Sequence, residues 1–155
     1  MELAEMIAPK GVIPDMRASS KKQALLEVAQ RAAQITGLHE RTIFDALLER
    51  ERLGSTGLGG GFAIPHCKLD GLDRIHGVFA RLAAPIDFEA IDARPVDLMF
   101  VLVAPKDAGA DHLKALSRVS RALRDRALVE KLRATDRADA LYALLAEPLK
   151  SPRAA

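Results

Sequence analysis

The stretch Val96 to Ala104 limits what this chain can fold into more than any other part of it. It is a nearly unbroken apolar run, interrupted only at Asp97, of the kind found in a strand whose sheet is covered on both faces. Helices must therefore lie on both sides of that sheet. The flanking sequence offers them. Ser19 or Ser20 can cap a long helix with Leu25, Val28, Ala29, Ala32 and Ile35 on one side, ending at Gly37. A second helix, from about Glu40 to Arg52, carries an apolar stripe of Ile43, Phe44, Leu47 and Leu48. From Ala110 the pattern is helical again, in segments around Leu116, Val119 and Leu123, then Leu128 and Leu132, then Ala138, Leu141, Leu144 and Leu145. Asp111, Asp125 and Asp136 are their candidate caps.

Further strands are expected at Val12 to Pro14, on an edge, at Ala63-Ile64, and from Gly77 to Ala83, with Pro85 ending the last. Leu3 to Ala8 reads as a short helical turn that stops before Pro9. This order predicts a single-domain, three-layer α/β/α sandwich around a central mixed β-sheet, occupying residues 1–147, with 148–155 as a disordered tail.

Composition narrows the function classes. A chain of 155 residues with 49% hydrophobic and 28% charged residues can bury an ordinary core without disulfides or metal. The net charge of +2 comes from 23 basic and 21 acidic residues that are interspersed, and aromatic residues make up 4%. Neither an electrostatic footprint nor a stacking platform for nucleic acid stands out. No apolar run approaches a membrane span, and Glu2 and Glu5 stand where a secretory leader carries basic residues, so a cytoplasmic protein is expected. Cys67 is the single cysteine and has no internal disulfide partner; the histidines lack paired metal spacing, so no metal is expected.

The chemistry concentrates at Gly54 to His66. Gly54, Gly57, Gly59, Gly60 and Gly61 form a loop that can adopt positive φ and turn several N–H groups to one side, a way to hold an oxyanion. The run lacks the trailing Gly-Lys-Ser/Thr of a nucleotide-binding P-loop. It tightens into Ala63-Ile64, and Pro65 should end that strand and leave His66 at its end. A neutral imidazole there can attack phosphorus through one nitrogen while a hydrogen bond holds the other. On spacing alone, a lone histidine at a strand end is more often a satisfied structural residue. Leu58, Phe62 and Ile64 should form an apolar rim with Arg50 and Arg52 at its edge. Cys67, on the opposite face of a strand from His66, is read as a small buried filler, and His39 and His76 as surface residues.

Arg50-Glu51-Arg52-x-Gly54-Ser55-Thr56-Gly57, followed by Gly61-x-Ala63-Ile64-Pro65-His66, resembles the active-site segment of the enzyme IIA domains of the phosphoenolpyruvate-dependent phosphotransferase system, in the fructose and mannitol class. The resemblance runs from about Leu3 to Leu145 and is strongest to the stand-alone nitrogen-regulatory branch of that class. It implies the same three-layer fold, His66 as the phosphorylated residue, Arg50 facing it, and a hydroxyl of Ser55 or Thr56 beside Gly57 in contact with the phosphoryl group. His112-Leu113-x-x-Leu116 resembles the region that supplies a second active-site histidine. The resemblance further implies an HPr-like phosphocarrier as donor, no cofactor, and regulated partners such as potassium-transport or nitrogen-control proteins. The alternative it leaves open is a sugar-specific subunit that passes phosphate to a fructose or mannitol IIB protein.

Overall fold

The computed structural model describes residues 1–148. Its sheet has six strands, β1 (Ile7–Met16), β2 (Gly57–Gly59), β3 (Phe62–Ala63), β4 (His66–Leu69), β5 (His76–Ile86) and β6 (Val96–Pro105). Five helices accompany them: α1 (Lys21–Thr36), α2 (Glu40–Arg52), α3 (Ala110–Leu123), α4 (Arg126–Arg133) and α5 (Ala138–Ala146). The strand order is β1-β5-β6-β3-β2, with β4 also on β6. β1 runs parallel to β5, β5 antiparallel to β6, and β3 and β4 parallel to β6, so the sheet is mixed as expected.

β6 organises the molecule because both its faces are covered. Val101 and Val103 enter the core under α1 and α2, while Phe100, Leu102 and Ala104 enter the core under α3, α4 and α5. Burying each such large side chain contributes roughly 1.5–3 kcal/mol, and Phe100→Ala would cost about 3–5 kcal/mol by leaving a cavity on the α3 side.

The helix signals act as read at α1 and α4. Ser20 Oγ accepts from Gln23 N at 3.1 Å, and Gly37 ends α1 with φ 77°. Asp125 caps α4 by accepting from Ala127 N at 3.0 Å and Leu128 N at 3.3 Å. The other expected caps are corrected. α3 starts behind Gly109, with Asp111 inside the first turn, where its charge favours the helix dipole without capping; Arg137, not Asp136, occupies the N-cap position of α5. His39 is the N-cap of α2, its Nδ1 accepting from Arg41 N at 3.2 Å.

Three strand boundaries also differ from expectation. The opening helical turn covers only Leu3–Glu5, and β1 then runs through Pro9 and Pro14, which an edge strand paired only to β5 tolerates. β5 continues through Pro85, because its last residue paired with β1 is Leu82, opposite Met16, and no donor to β1 is needed beyond it. Pro65 does not leave His66 at a strand end: β3 stops at Ala63, and His66 opens β4 on the same edge of β6. Of the expected tail 148–155, all but Pro148 lies outside the described residues.

Candidate functional site

The break between β3 and β4 builds the site. Pairing with β6 ends at Ala63 opposite Met99 and resumes at His66 opposite Leu102. Pro65 has no N–H to give, and its carbonyl accepts from Leu102 N at 2.9 Å, which keeps the chain against β6 across the gap. The Ile64 carbonyl, outside the ladder, is left to face the His66 ring. His66 Nδ1 lies 2.8 Å from it. A carbonyl only accepts, so Nδ1 carries the proton and Nε2 carries the lone pair.

Arg50 meets that lone pair. It sits in the last turn of α2, and its Nε donates to His66 Nε2 at 3.3 Å while its Nη1 donates to the Gly54 carbonyl at 3.0 Å. On the other side stands His112, in the first turn of α3. Its ring is 5.4 Å from that of His66, centroid to centroid, tilted by 52°. His112 is buried, and its Nδ1 has no hydrogen-bond partner. The structure thus brings His66, Arg50 and His112 together.

Both rings are shifted toward the neutral form. Burial lowers the His66 pKa, and the Arg50 charge adds to this; the Ile64 carbonyl and Glu51 oppose it. His112 is lowered by burial and by the neighbouring charges of His66 and Lys68. A neutral His66 keeps its Nε2 lone pair, which Arg50 faces, and such a nitrogen can act as a nucleophile.

Ser55, Thr56 and Gly57 occupy a different place. Ser55 Oγ donates to the Phe88 carbonyl at 2.9 Å and accepts from Gly57 N at 3.0 Å. Thr56 Oγ1 donates to Glu51 Oε2, and Thr56 N to Glu51 Oε1 at 3.1 Å. Each hydroxyl has one proton, and both are spent inside the protein. The expected phosphoryl contact from Ser55 or Thr56 therefore has no hydroxyl donor to draw on in this arrangement, and the loop instead braces the residues around it.

Glu51 is the residue that sequence reading passed over. It is buried, and it also pairs with Lys21 at 3.0 Å. The signal was present: Glu51 falls at helical spacing after Phe44, Leu47 and Leu48, an acid on an apolar stripe. The expected rim is corrected too. Leu58 is exposed, but Phe62 and Ile64 are buried in the α3-side core, and the exposed apolar residues flanking the site elements are Leu53 and Leu113. Cys67 and Leu69 face the α1–α2 core, opposite His66, and burial pushes the Cys67 thiol up to about 12. His76 starts β5, half-buried, rather than lying in a connection. Among the described residues, no cluster of three histidine, cysteine or acidic side chains is placed to hold a metal, and no helix is long and apolar enough to cross a membrane.

Residues 5–147 match a family described as "Phosphoenolpyruvate-dependent sugar phosphotransferase system, EIIA 2". A "Nitrogen regulatory protein" of Bradyrhizobium diazoefficiens is 53% identical over 96% of this chain and 97% of its own. A "PTS system fructose-specific EIIA component" of Haloferax volcanii is 39% identical over 79% of each chain. Among solved structures, the nitrogen regulatory protein IIA-Ntr from Neisseria meningitidis superposes with a TM-score of 0.86 at 34% identity, covering 91% of this chain and 97% of that one.

Proposed function

This chain belongs to the EIIA 2 family of the phosphoenolpyruvate-dependent sugar phosphotransferase system, and on that footing we propose that it is a phosphocarrier of the nitrogen-regulatory kind, phosphorylated on His66. The observation that carries the reading is the pair of bonds to His66: Nδ1–H to Ile64 at 2.8 Å, and Nε2 facing Arg50 at 3.3 Å. They leave one nitrogen with both a lone pair and a cation beside it.

In the transfer, the Nε2 lone pair attacks the phosphorus of a phosphohistidine on an HPr-like donor. A new N–P bond forms, the donor's N–P bond breaks, and the donor imidazole leaves with the bonding pair. Nδ1–H stays on the ring, so phosphorylated His66 is cationic, and its bond to Ile64 strengthens as that charge develops. Arg50 stands where the phosphoryl oxygens arrive, and its planar guanidinium suits them. His112 adds a hydrogen bond or a positive charge on the far side. No cofactor is required.

The nitrogen-regulatory relative supports regulation as the use of this chemistry. Phosphorylation adds nearly two negative charges to a face edged by exposed Leu53 and Leu113, so a partner that desolvates the site binds the unphosphorylated form better. Potassium-transport and nitrogen-control proteins are the partner classes this reading carries. The fructose-specific relative favours a second use, transfer to a IIB protein. One experiment separates the two. The protein is incubated with phosphoenolpyruvate and the two general phosphotransferase proteins, its mass followed, and both forms used to capture partners. A one-phosphoryl mass gain with capture confined to the unphosphorylated form supports regulation, no gain overturns the phosphocarrier reading, and rapid passage to a purified fructose or mannitol IIB moves the function to transport.

A further inference from the structure

Lys21 and Glu51 break two local rules. Lys21 is the first residue of α1, where the helix dipole disfavours a cation, yet its side chain is only 16% exposed. Glu51 is 2% exposed at the end of α2. A buried ion pair of this kind adds little net stability over apolar side chains of the same size, because desolvation offsets the attraction. Departures from local preference concentrate where function needs them, and the contacts of Glu51 give that need an address.

The carboxylate is aimed at the loop. Oε1 accepts from Lys21 Nζ at 3.0 Å and from Thr56 N at 3.1 Å, and Oε2 accepts from Thr56 Oγ1. Thr56 then reaches the nucleophile by its other end, since its carbonyl accepts from Ile64 N at 3.1 Å and the Ile64 carbonyl holds His66 Nδ1. In the opposite direction along the chain, Glu51 is the neighbour of Arg50. Lys21 is fixed in turn over the Phe88 ring, 4.7 Å from its centroid, and the Phe88 carbonyl holds Ser55. One carboxylate therefore joins the strut that carries Arg50 to the strut that carries His66.

We propose that Glu51, clamped by Lys21, is a positioning residue for phosphoryl acceptance: it sets the distance between Arg50 Nε and His66 Nε2 without touching the phosphoryl group. This rests on His66 being the acceptor. The side chains at His66 are Arg50 and His112, and Glu51, acting on the ring through space, is the one whose charge favours its protonated form. Removing that charge should move the His66 titration to lower pH. It should also loosen Arg50 from the nucleophile, and a misplacement on the order of 1 Å at a reacting centre costs up to about a hundredfold in rate.

The test compares Glu51→Gln, Lys21→Met and the double variant by single-turnover acceptance from a phosphorylated HPr-like donor, by NMR titration of His66 in the unphosphorylated protein, and by melting temperature. Gln keeps one acceptor oxygen for Thr56 and loses the second. The single variants should melt lower, since each leaves a buried charge unpaired, and the double variant should recover stability. Acceptance should stay reduced on the order of tenfold or more in the double variant as well, with His66 titrating lower than in the wild type. A double variant that accepts phosphate at the wild-type rate, or whose His66 titrates as in the wild type, overturns the proposal and leaves the pair purely structural. If a single variant fails to fold, the double variant decides. If the wild type takes no phosphate, the phosphocarrier reading falls, while the NMR titration still decides whether Glu51 governs the His66 environment.

Discussion

On the α2 side of His66, Arg50 is held at the Gly54 carbonyl and Glu51 at Thr56 and Lys21, whereas on the α3 side His112 lies buried with Nδ1 unpartnered. The first half is fixed before any reaction, Arg50 by a backbone carbonyl and Glu51 by Lys21 and Thr56. The second half carries an orphaned polar atom, which costs about 1–3 kcal/mol when buried. If His66 is the acceptor, a group kept at that cost 5.4 Å from it, ring to ring, would have its use when charge arrives. On the proposed function the two halves have different work: the α2 side would aim the nucleophile, and the α3 side would answer the negative charge of the product.

The largest effect expected breaks both halves at once. His66→Ala removes the imidazole that is 3.3 Å from Arg50 and tied to Ile64, so phosphorylation should disappear altogether. Intact-mass measurement after incubation with phosphoenolpyruvate and the general phosphotransferase proteins checks it. A full adduct on the variant would move the acceptor to another histidine.

Smaller effects should separate the halves. His112→Ala leaves Nε2 of His66 and its bonds to Arg50 and Ile64 in place, so acceptance should persist while onward transfer slows on the order of a hundredfold, the usual cost of one preorganised electrostatic partner. Equal slowing of both steps would show that His112 also aims the nucleophile. Arg50→Lys is milder. It keeps a cation but loses the fork that spans Gly54 and His66, so acceptance should fall by less than in Arg50→Ala, and single-turnover rates of the two variants rank them.

How far the sequence revealed this site follows the same division. The buried strand at β6, the long α1 and the Ala-Ile-Pro-His run were legible because period, caps and proline act locally. Bringing His66 to within ring contact of His112 needed the family resemblance, since they stand on β4 and the start of α3 and nothing in the spacing joins them. Glu51 stands on an apolar stripe that marks it without naming its partners, and the phosphoryl contact that the resemblance implies for Ser55 or Thr56 falls on hydroxyls whose partners, Phe88 and Glu51, only the fold places. The run of β5 through Pro85 was hidden because it depends on where β1 stops.

The smallest effect is one of stability, and it reads the burial of both halves. His66, His76 and His112 all have pKa values lowered from the ordinary value of 6.5, in each case chiefly by burial. A depressed folded-state pKa means the unfolded chain binds more protons, so stability rises with pH across the interval between the folded and unfolded values. The contribution is complete above about pH 6.5, the ordinary histidine value, and is lost as pH falls toward the folded values. Asp92 and Asp139, whose carboxyls hydrogen bonds hold below their ordinary value of 3.8, titrate too low to contribute over the same interval. Melting temperature should therefore decline between pH 7 and pH 5 by an amount on the order of a few degrees. The decline should be shallower in His112→Ala and in His66→Ala, because each removes one histidine whose protonation the fold disfavours. Phosphate bound to His66 should change the wild-type slope as well, since the ring is then cationic by bonding and has a phosphoryl group to balance it. If the slope in His112→Ala equals that of the wild type, His112 takes up protons as readily in the fold as in the unfolded chain; a slope steeper than that of the wild type would show that the fold holds His112 protonated, with positive charge on the α3 side before the phosphoryl group arrives.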